Sequence, residues 1–248
     1  MLISGLQKLS LLDYPGKLAA IIFTGGCNLL CPFCHNPSLV NEGRAEAGTI
    51  TMEAEEILSF LRTRRGKLDG VCISGGEPLL HSKIENLIAK IRELGFSIKL
   101  DTNGTFPEKL YQLIHRGLLD YVALDIKNSA EKYPLTVGLA DFDPTPVFES
   151  ADILIKGALN YKINSAPHYE LRTTLVRGLH NAEDIEKIGQ VFKGAAVENY
   201  YLQRFVDSGS LVGFRNGAPI SLSAFSNPEM EHFAEILSQY IEGVRIRG

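Results

Sequence analysis

"GVCISGGEPLLHSKIENLIAKIRELGFSIKLDTNG" (residues 70–104) contains one strand, one helix and a second strand in order. Val71, Cys72 and Ile73 form an apolar run that Gly75, Gly76 and Pro78 bring to an end. From residue 82 to residue 94, Ile84, Leu87, Ile88 and Ile91 recur at helical spacing, and Gly95 stops the pattern. Ser82 with Glu85 three residues on reads as a capping box. Residues 97–104 return to an apolar run that closes on Asp101, Thr102, Asn103 and Gly104. Strand, helix and strand at this spacing make a parallel βαβ unit, whose crossover is right-handed.

The alternation extends in both directions. Further strand-like runs lie at 18–26, 121–127, 169–176 and 200–206, and further helical patterns at 51–65, 107–117, 145–158, 181–194 and 227–243. Thr51 is the expected cap of the first of these helices, and Pro107 and Gly117 bound the next. Six strand–helix units in order predict a parallel sheet whose strands are buried on both faces. A doubly wound sheet and a (β/α) barrel both fit. Six units are fewer than the eight of a closed barrel, so a partial, open (β/α)6 barrel is the expected geometry. In either architecture the working face lies at the carboxyl ends of the strands. Polar residues collect there: Cys27 onward, Glu77, Asp101 to Asn103, Asp125 with Lys127, Arg172, and Gln203 with Arg204.

The bulk properties set limits on function. With 248 residues, 45% hydrophobic and 22% charged, the chain can bury a large core. No low-complexity segment or long linker divides it, so one domain over 1–248 is expected, with a core over about 17–206 and a C-terminal helix at 227–243. A net charge of −4 gives no basic surface for nucleic acid. The first residues lack the pattern of a signal peptide, and no apolar run is long enough to span a bilayer, so a soluble cytoplasmic protein is expected. In a reducing cytosol, clustered cysteines are metal ligands or catalytic groups more often than disulfides.

Three of the four cysteines fall within "GGCNLLCPFCHNP" (25–37): Cys27, Cys31 and Cys34, spaced C-x3-C-x2-C. Three thiolates on a loop after a strand can converge on one soft metal centre. A structural zinc site wants four ligands. His35 adjoins Cys34 and is poorly placed to share its metal, while Cys72 lies mid-strand and reads as a small core hydrophobe. Three sulfurs on a four-iron cube would leave one iron open to a small molecule. Zinc with an outside ligand, c-type haem attachment through "CPFCH" and a redox dithiol remain as alternatives from this stretch alone.

The motif Cys-x3-Cys-x-aromatic-Cys after the first strand, with Phe33 as the aromatic, resembles the signature of the radical S-adenosylmethionine (SAM) superfamily. "SGGEP" (74–78) resembles its GGE motif, and "DTNG" (101–104), "DIK" (125–127) and "RTTLVRGLH" (172–180) resemble motifs of glycyl-radical-enzyme activating enzymes. The opening segment and "DIKNSAEKYPLTVG" (125–138) look most like activating proteins of anaerobic ribonucleoside-triphosphate reductase. The resemblance implies a [4Fe–4S] cluster on Cys27, Cys31 and Cys34 and SAM at the open iron. It implies SAM contacts from Phe33, His35, Gly75, Gly76, Glu77, Asn103, Asp125, Lys127 and Arg172, and a monovalent cation on Asp101, Thr102 and Asp125. It implies a glycyl radical enzyme as protein substrate and a flavodoxin- or ferredoxin-type electron donor. Arg177 stands where the family usually has Pro, and "NYKINSAPH" (160–168) has no counterpart in that pattern. A small-molecule substrate, or a zinc or electron-transfer module, would be the other readings.

Overall fold

The computed structural model describes residues 2–41, 51–160, 166–214 and 221–248. β1 (Ile3–Ser10) and β2 (Ala19–Thr24) form an antiparallel pair, and α1 (Pro37–Asn41) follows the cysteine loop. Then come α2 (Ala54–Arg62), β3 (Gly70–Gly75), α3 (Ile84–Glu93), β4 (Ser97–Thr102), α4 (Pro107–His115) and β5 (Tyr121–Asp125). After them come α5 (Tyr133–Val137), α6 (Thr145–Asn160), β6 (His168–Leu175), α7 (Ala182–Val191), β7 (Tyr200–Arg204), α8 (Asn227–Ser238) and β8 (Val244–Arg247).

These strands form one sheet in chain order, parallel from β2 to β8. Each pairs only with its neighbours in sequence, so the sheet stays open between β1 and β8. All six expected strands are present. Ile22, Val71, Ile73, Ile98, Leu100, Val122, Leu124 and Leu171 are fully buried, which is what a parallel sheet covered by helices requires. Burying each such side chain contributes about 1.5–3 kcal/mol. Among the described residues no helix is long and apolar enough to cross a membrane.

The sheet has two strands beyond the six expected. β1 is half-exposed, mixes polar residues with glycine and carries two irregularities in its register, so it shows no alternation. β8 is only four residues long, with arginine at every second position. The C-terminal helix accordingly ends at Ser238 rather than at 243, and the chain turns to add β8.

Two expected caps are also replaced. The amide of Met52 pairs with the Ile3 carbonyl (2.8 Å), so helix α2 starts later, with Glu53 and Glu56 forming its box. Lys83 rather than Ser82 precedes α3, and no side-chain cap forms there. Residues 161–165, within the unfamiliar stretch 160–168, lie outside the described residues.

Candidate active site

The carboxyl ends of β2 to β6 surround a cavity of about 190 Å³. Cys27, Cys31, Phe33, Cys34, His35, Gly75, Gly76, Asp101, Thr102, Asn103, Asp125, Lys127 and Arg172 all line it. Of the strand-end residues expected at the working face, Glu77, Gln203 and Arg204 do not.

The loop after β2 is seated by backbone contacts. The Gly76 amide donates to the Thr24 carbonyl (2.8 Å), and the Glu77 amide to that of Gly26 (2.9 Å). A Cβ at Gly76 would stand 2.0 Å from the Gly26 oxygen, and one at Gly75, where φ is +119°, 2.3 Å from the Thr24 backbone. Both glycines therefore let the chain approach itself, in addition to exposing backbone to the cavity. On the far side the Leu30 amide donates to Val137 O (2.9 Å), and Gly138 lies too close to Leu30 O for any side chain.

The three thiols are free. Burial pushes Cys27 up to about 11 and Cys31 up to about 12, so both are protonated thiols at neutral pH until a metal replaces the proton. Among the described residues no three His, Cys, Asp or Glu side chains, these thiols included, are placed to hold a single metal ion. Three cysteines around one cavity do match a polynuclear iron–sulfur cluster with one iron left for an outside ligand.

Opposite the thiols stands a wall of paired charges. The Arg172 guanidinium binds Asp125 through Nε and lies 3.7 Å from Asp101 and 3.8 Å from Glu170. Lys127 Nζ donates to the other Asp125 oxygen (3.0 Å) and lies 5.9 Å from the centroid of the Phe33 ring. Lys99 binds Asp101, to which Ser74 also donates (3.1 Å). Burial pushes the Asp125 and Asp101 carboxyls up, but the cations beside them outweigh it and hold both below the usual range. Arg247 of β8 grips Glu170 with two bonds of 2.9 Å, so the last strand supports this wall. The donors expected for a monovalent cation are thus already engaged: Arg172 links Asp101 to Asp125, and the Thr102 hydroxyl donates to Glu77 (2.8 Å).

Glu77 is fully buried beneath the cavity. It accepts from Thr102 Oγ1 and from the amides of Leu79 (2.9 Å) and Asn103 (2.7 Å), and so ties the end of β3 to that of β4. Gly104, at φ +77°, makes the following turn, and Ser150 of α6 donates to its carbonyl (2.7 Å). His180 precedes Asn181, the cap of α7. Its Nδ1 accepts from the Val176 amide (3.1 Å) and its Nε2 donates to Lys127 O (2.8 Å), fixing the end of β5. Burial holds this imidazole neutral, below its usual range. Arg204 turns away to the Asn227 side chain (2.6 Å) and Gly248 O (3.2 Å), while Gln203 faces Thr174 (3.5 Å) on the cavity wall. Arg177 needs its N–H for Ser223 O (2.9 Å), which Pro could not supply, and its side chain grips Glu229.

Several contributors had no signal in the sequence. The segment 205–214 runs back across the cysteine loop: Val212 and Gly213 amides donate to Cys34 O (3.1 Å) and Pro32 O (2.9 Å). Phe205 stacks on His35 with ring centroids 5.4 Å apart, and Ser208 meets His35 Nδ1 (3.3 Å). Asn28 and Thr105 bond around Asn103. The lysine inside an apolar strand, Lys99, was a readable sign of a buried partner, as Arg172 was.

Comparison with known proteins agrees with this geometry. The sequence pattern of the Radical SAM superfamily matches residues 21–190. The Methanocaldococcus jannaschii protein MJ1227, whose name gives it provisionally as a glycyl-radical enzyme activating enzyme, is 34% identical over 99% of this chain and 95% of its own. The pyruvate formate-lyase-activating enzyme of Staphylococcus aureus is 36% identical over 130 residues, 49% of this chain and 51% of its own. The crystal structure of Streptococcus suis SuiB bound to S-adenosylmethionine superposes with a TM-score of 0.65 at 14% identity. That match covers 90% of this chain but 48% of SuiB, and it speaks for the fold alone.

Proposed function

This chain belongs to the Radical SAM superfamily, among relatives of glycyl-radical-enzyme activating enzymes, and on that premise we propose that it activates a partner enzyme by installing a glycyl radical. The observation that carries the reading is the shared cavity: three free thiols from one loop face paired charges from three other strand ends. Cys27, Cys31 and Cys34 would hold a [4Fe–4S] cluster. When bound, the cluster supplies the electron that splits SAM into methionine and a 5′-deoxyadenosyl radical, which takes a hydrogen atom from a glycine of the partner.

The chain's own groups bind and orient. Arg172 and Lys127 would take the SAM carboxylate, Asp125 its ammonium group, and the Gly75–Gly76 backbone would lie against the methionyl moiety. Phe33 and the His35 backbone would border the adenine. Glu77 acts from beneath, by fixing the β3 and β4 ends. A monovalent cation at Asp101 and Asp125 would have to share those carboxylates with Arg172. The partner proposed is anaerobic ribonucleoside-triphosphate reductase, with a flavodoxin- or ferredoxin-type donor, in the cytoplasm. The whole chain is taken as one domain.

Anaerobic reconstitution tests the reading. About four irons and four sulfides per chain, SAM cleavage on reduction and a glycyl EPR doublet on mixing with that reductase are expected. One zinc and no SAM turnover would refute the enzyme. SAM cleavage without a doublet on that reductase or another glycyl radical enzyme would refute the protein substrate.

A further inference from the structure

The Cys27 sulfur is set differently from its two companions. The Leu29 amide donates to it at 3.4 Å and Asn103 Nδ2 at 3.9 Å. Neither Cys31 Sγ nor Cys34 Sγ has a hydrogen-bond donor among the described residues. The Asn103 side chain, moreover, cannot turn over. Its Oδ1 accepts from the Thr105 amide (3.1 Å) and hydroxyl (2.7 Å), and an amide N–H can only donate. Nδ2 must therefore face Asn28 Oδ1 (2.9 Å) and Cys27 Sγ. Asn28 is locked in turn, with its Nδ2 donating to Thr105 Oγ1 (2.8 Å). The Asn103 backbone is pinned by Glu77, and the residue is 5% exposed. Three side chains closed into a ring, anchored on a buried carboxylate, present one remaining N–H to one sulfur.

We propose that Asn103 is a positioning residue whose side-chain N–H donates to the Cys27 thiolate and raises the reduction potential of the cluster, with Asn28 and Thr105 locking the amide. The inference rests on the cluster assignment above. Reduction adds negative charge that spreads onto the sulfurs, and a fixed N–H dipole favours the more negative state. This gives Asn103 a task at the sulfur rather than at SAM.

An EPR-monitored redox titration of the reconstituted protein without SAM tests it. Asn103→Leu removes the donor, and Asn103→Ala removes it while leaving room for a water. Both are expected to move the midpoint to more negative potential, Asn103→Leu further, with iron and sulfide content at the wild-type level. Wild-type midpoints in both loaded variants would overturn the proposal. Should Asn103→Leu fail to load, Asn103→Ala alone decides, by the same criterion. A wild-type chain that takes up no four-iron cluster would overturn the cluster assignment itself, which is a different result from an unmoved midpoint.

Discussion

Glu77→Gln separates two forces that act on one buried carboxyl. Two amides and a hydroxyl donate to its oxygens, from Leu79, Asn103 and Thr102. A carboxyl, protonated or not, keeps two accepting oxygens, whereas a carboxamide keeps one. Whichever way the new amide turns, its NH2 faces a backbone N–H, from Asn103 or from Leu79. One orphaned buried donor costs about 1–3 kcal/mol. Against this, burial pushes Glu77 up to about 7 from its ordinary 4.5, despite the three donors that pull it down. The folded state therefore binds the proton more tightly than the unfolded state, so the wild type loses stability as pH rises from about 4.5 to 7. Between pH 5.5 and 8.5 that loss integrates to about 2 kcal/mol. Glutamine does not titrate. The variant should be about 1–3 kcal/mol less stable at pH 5.5, or roughly 2–12 °C in melting temperature. Near pH 8.5 the gap should be smaller by about 2 kcal/mol. Urea unfolding of both apo proteins, followed by circular dichroism at the two pH values, measures it. A gap that widens with pH would show that the three donors outweigh desolvation, and equal stability at pH 5.5 would refute the orphaned-donor argument.

Gly76→Ala must displace the cysteine loop, since real Cβ atoms do not approach closer than 3.0 Å and this one would lie 2.0 Å from Gly26 O. A loss of about 1–3 kcal/mol and a reduced iron content on reconstitution are expected, by thermal melting and iron assay. Gly95→Ala, at φ +93° with nothing within 4 Å, should cost about 1–2 kcal/mol and load iron normally; parallel behaviour of the two would contradict the contact argument. Cys31→Ala should abolish four-iron assembly and SAM cleavage while Cys72→Ala leaves both, and equal loss would mean the ligand set is misassigned. A SAM analogue without its carboxylate should bind about ten-fold or more weakly to the reconstituted protein, and equal affinity would remove Arg172 and Lys127 from the carboxylate.

The strands of the sheet's centre were readable because they are buried on both faces, leaving uninterrupted apolar runs closed by Gly, Asp or Arg. β1 and β8 were not: β1 mixes polar residues with glycine and carries register irregularities, and β8 alternates over only four residues, too few to stand out. Thr51 is a good cap by type, but the long-range pairing of Met52 with Ile3 decides where α2 begins. At the site, residue type identified what lines the cavity but not the direction in which Glu77 points. A glutamate beside two glycines reads as available to a ligand, and only the fold aims amides from Leu79 and Asn103 at it. The strap at 205–214 was invisible for another reason: it holds the cysteine loop mainly through backbone amides, which any sequence provides.

The paired charges on the cavity wall bear on which ligand can enter. Arg172 already serves Asp125, and Lys127 serves the same carboxylate. A purely anionic ligand would draw these cations away and leave Asp125 buried without a partner. A purely cationic ligand would leave Lys127 in that position instead, since Arg172 keeps Asp101 and Glu170 beside it. Each case strands a buried charge, at a cost on the order of 3–5 kcal/mol. A ligand with an ammonium and a carboxylate on one carbon does neither: its carboxylate takes the cations as its ammonium takes Asp125, and the number of paired charges is preserved. The amino-acid end of SAM has this form. The wall would therefore select it by exchange of partners, and the same pairs keep the carboxylates and cations satisfied when no ligand is bound.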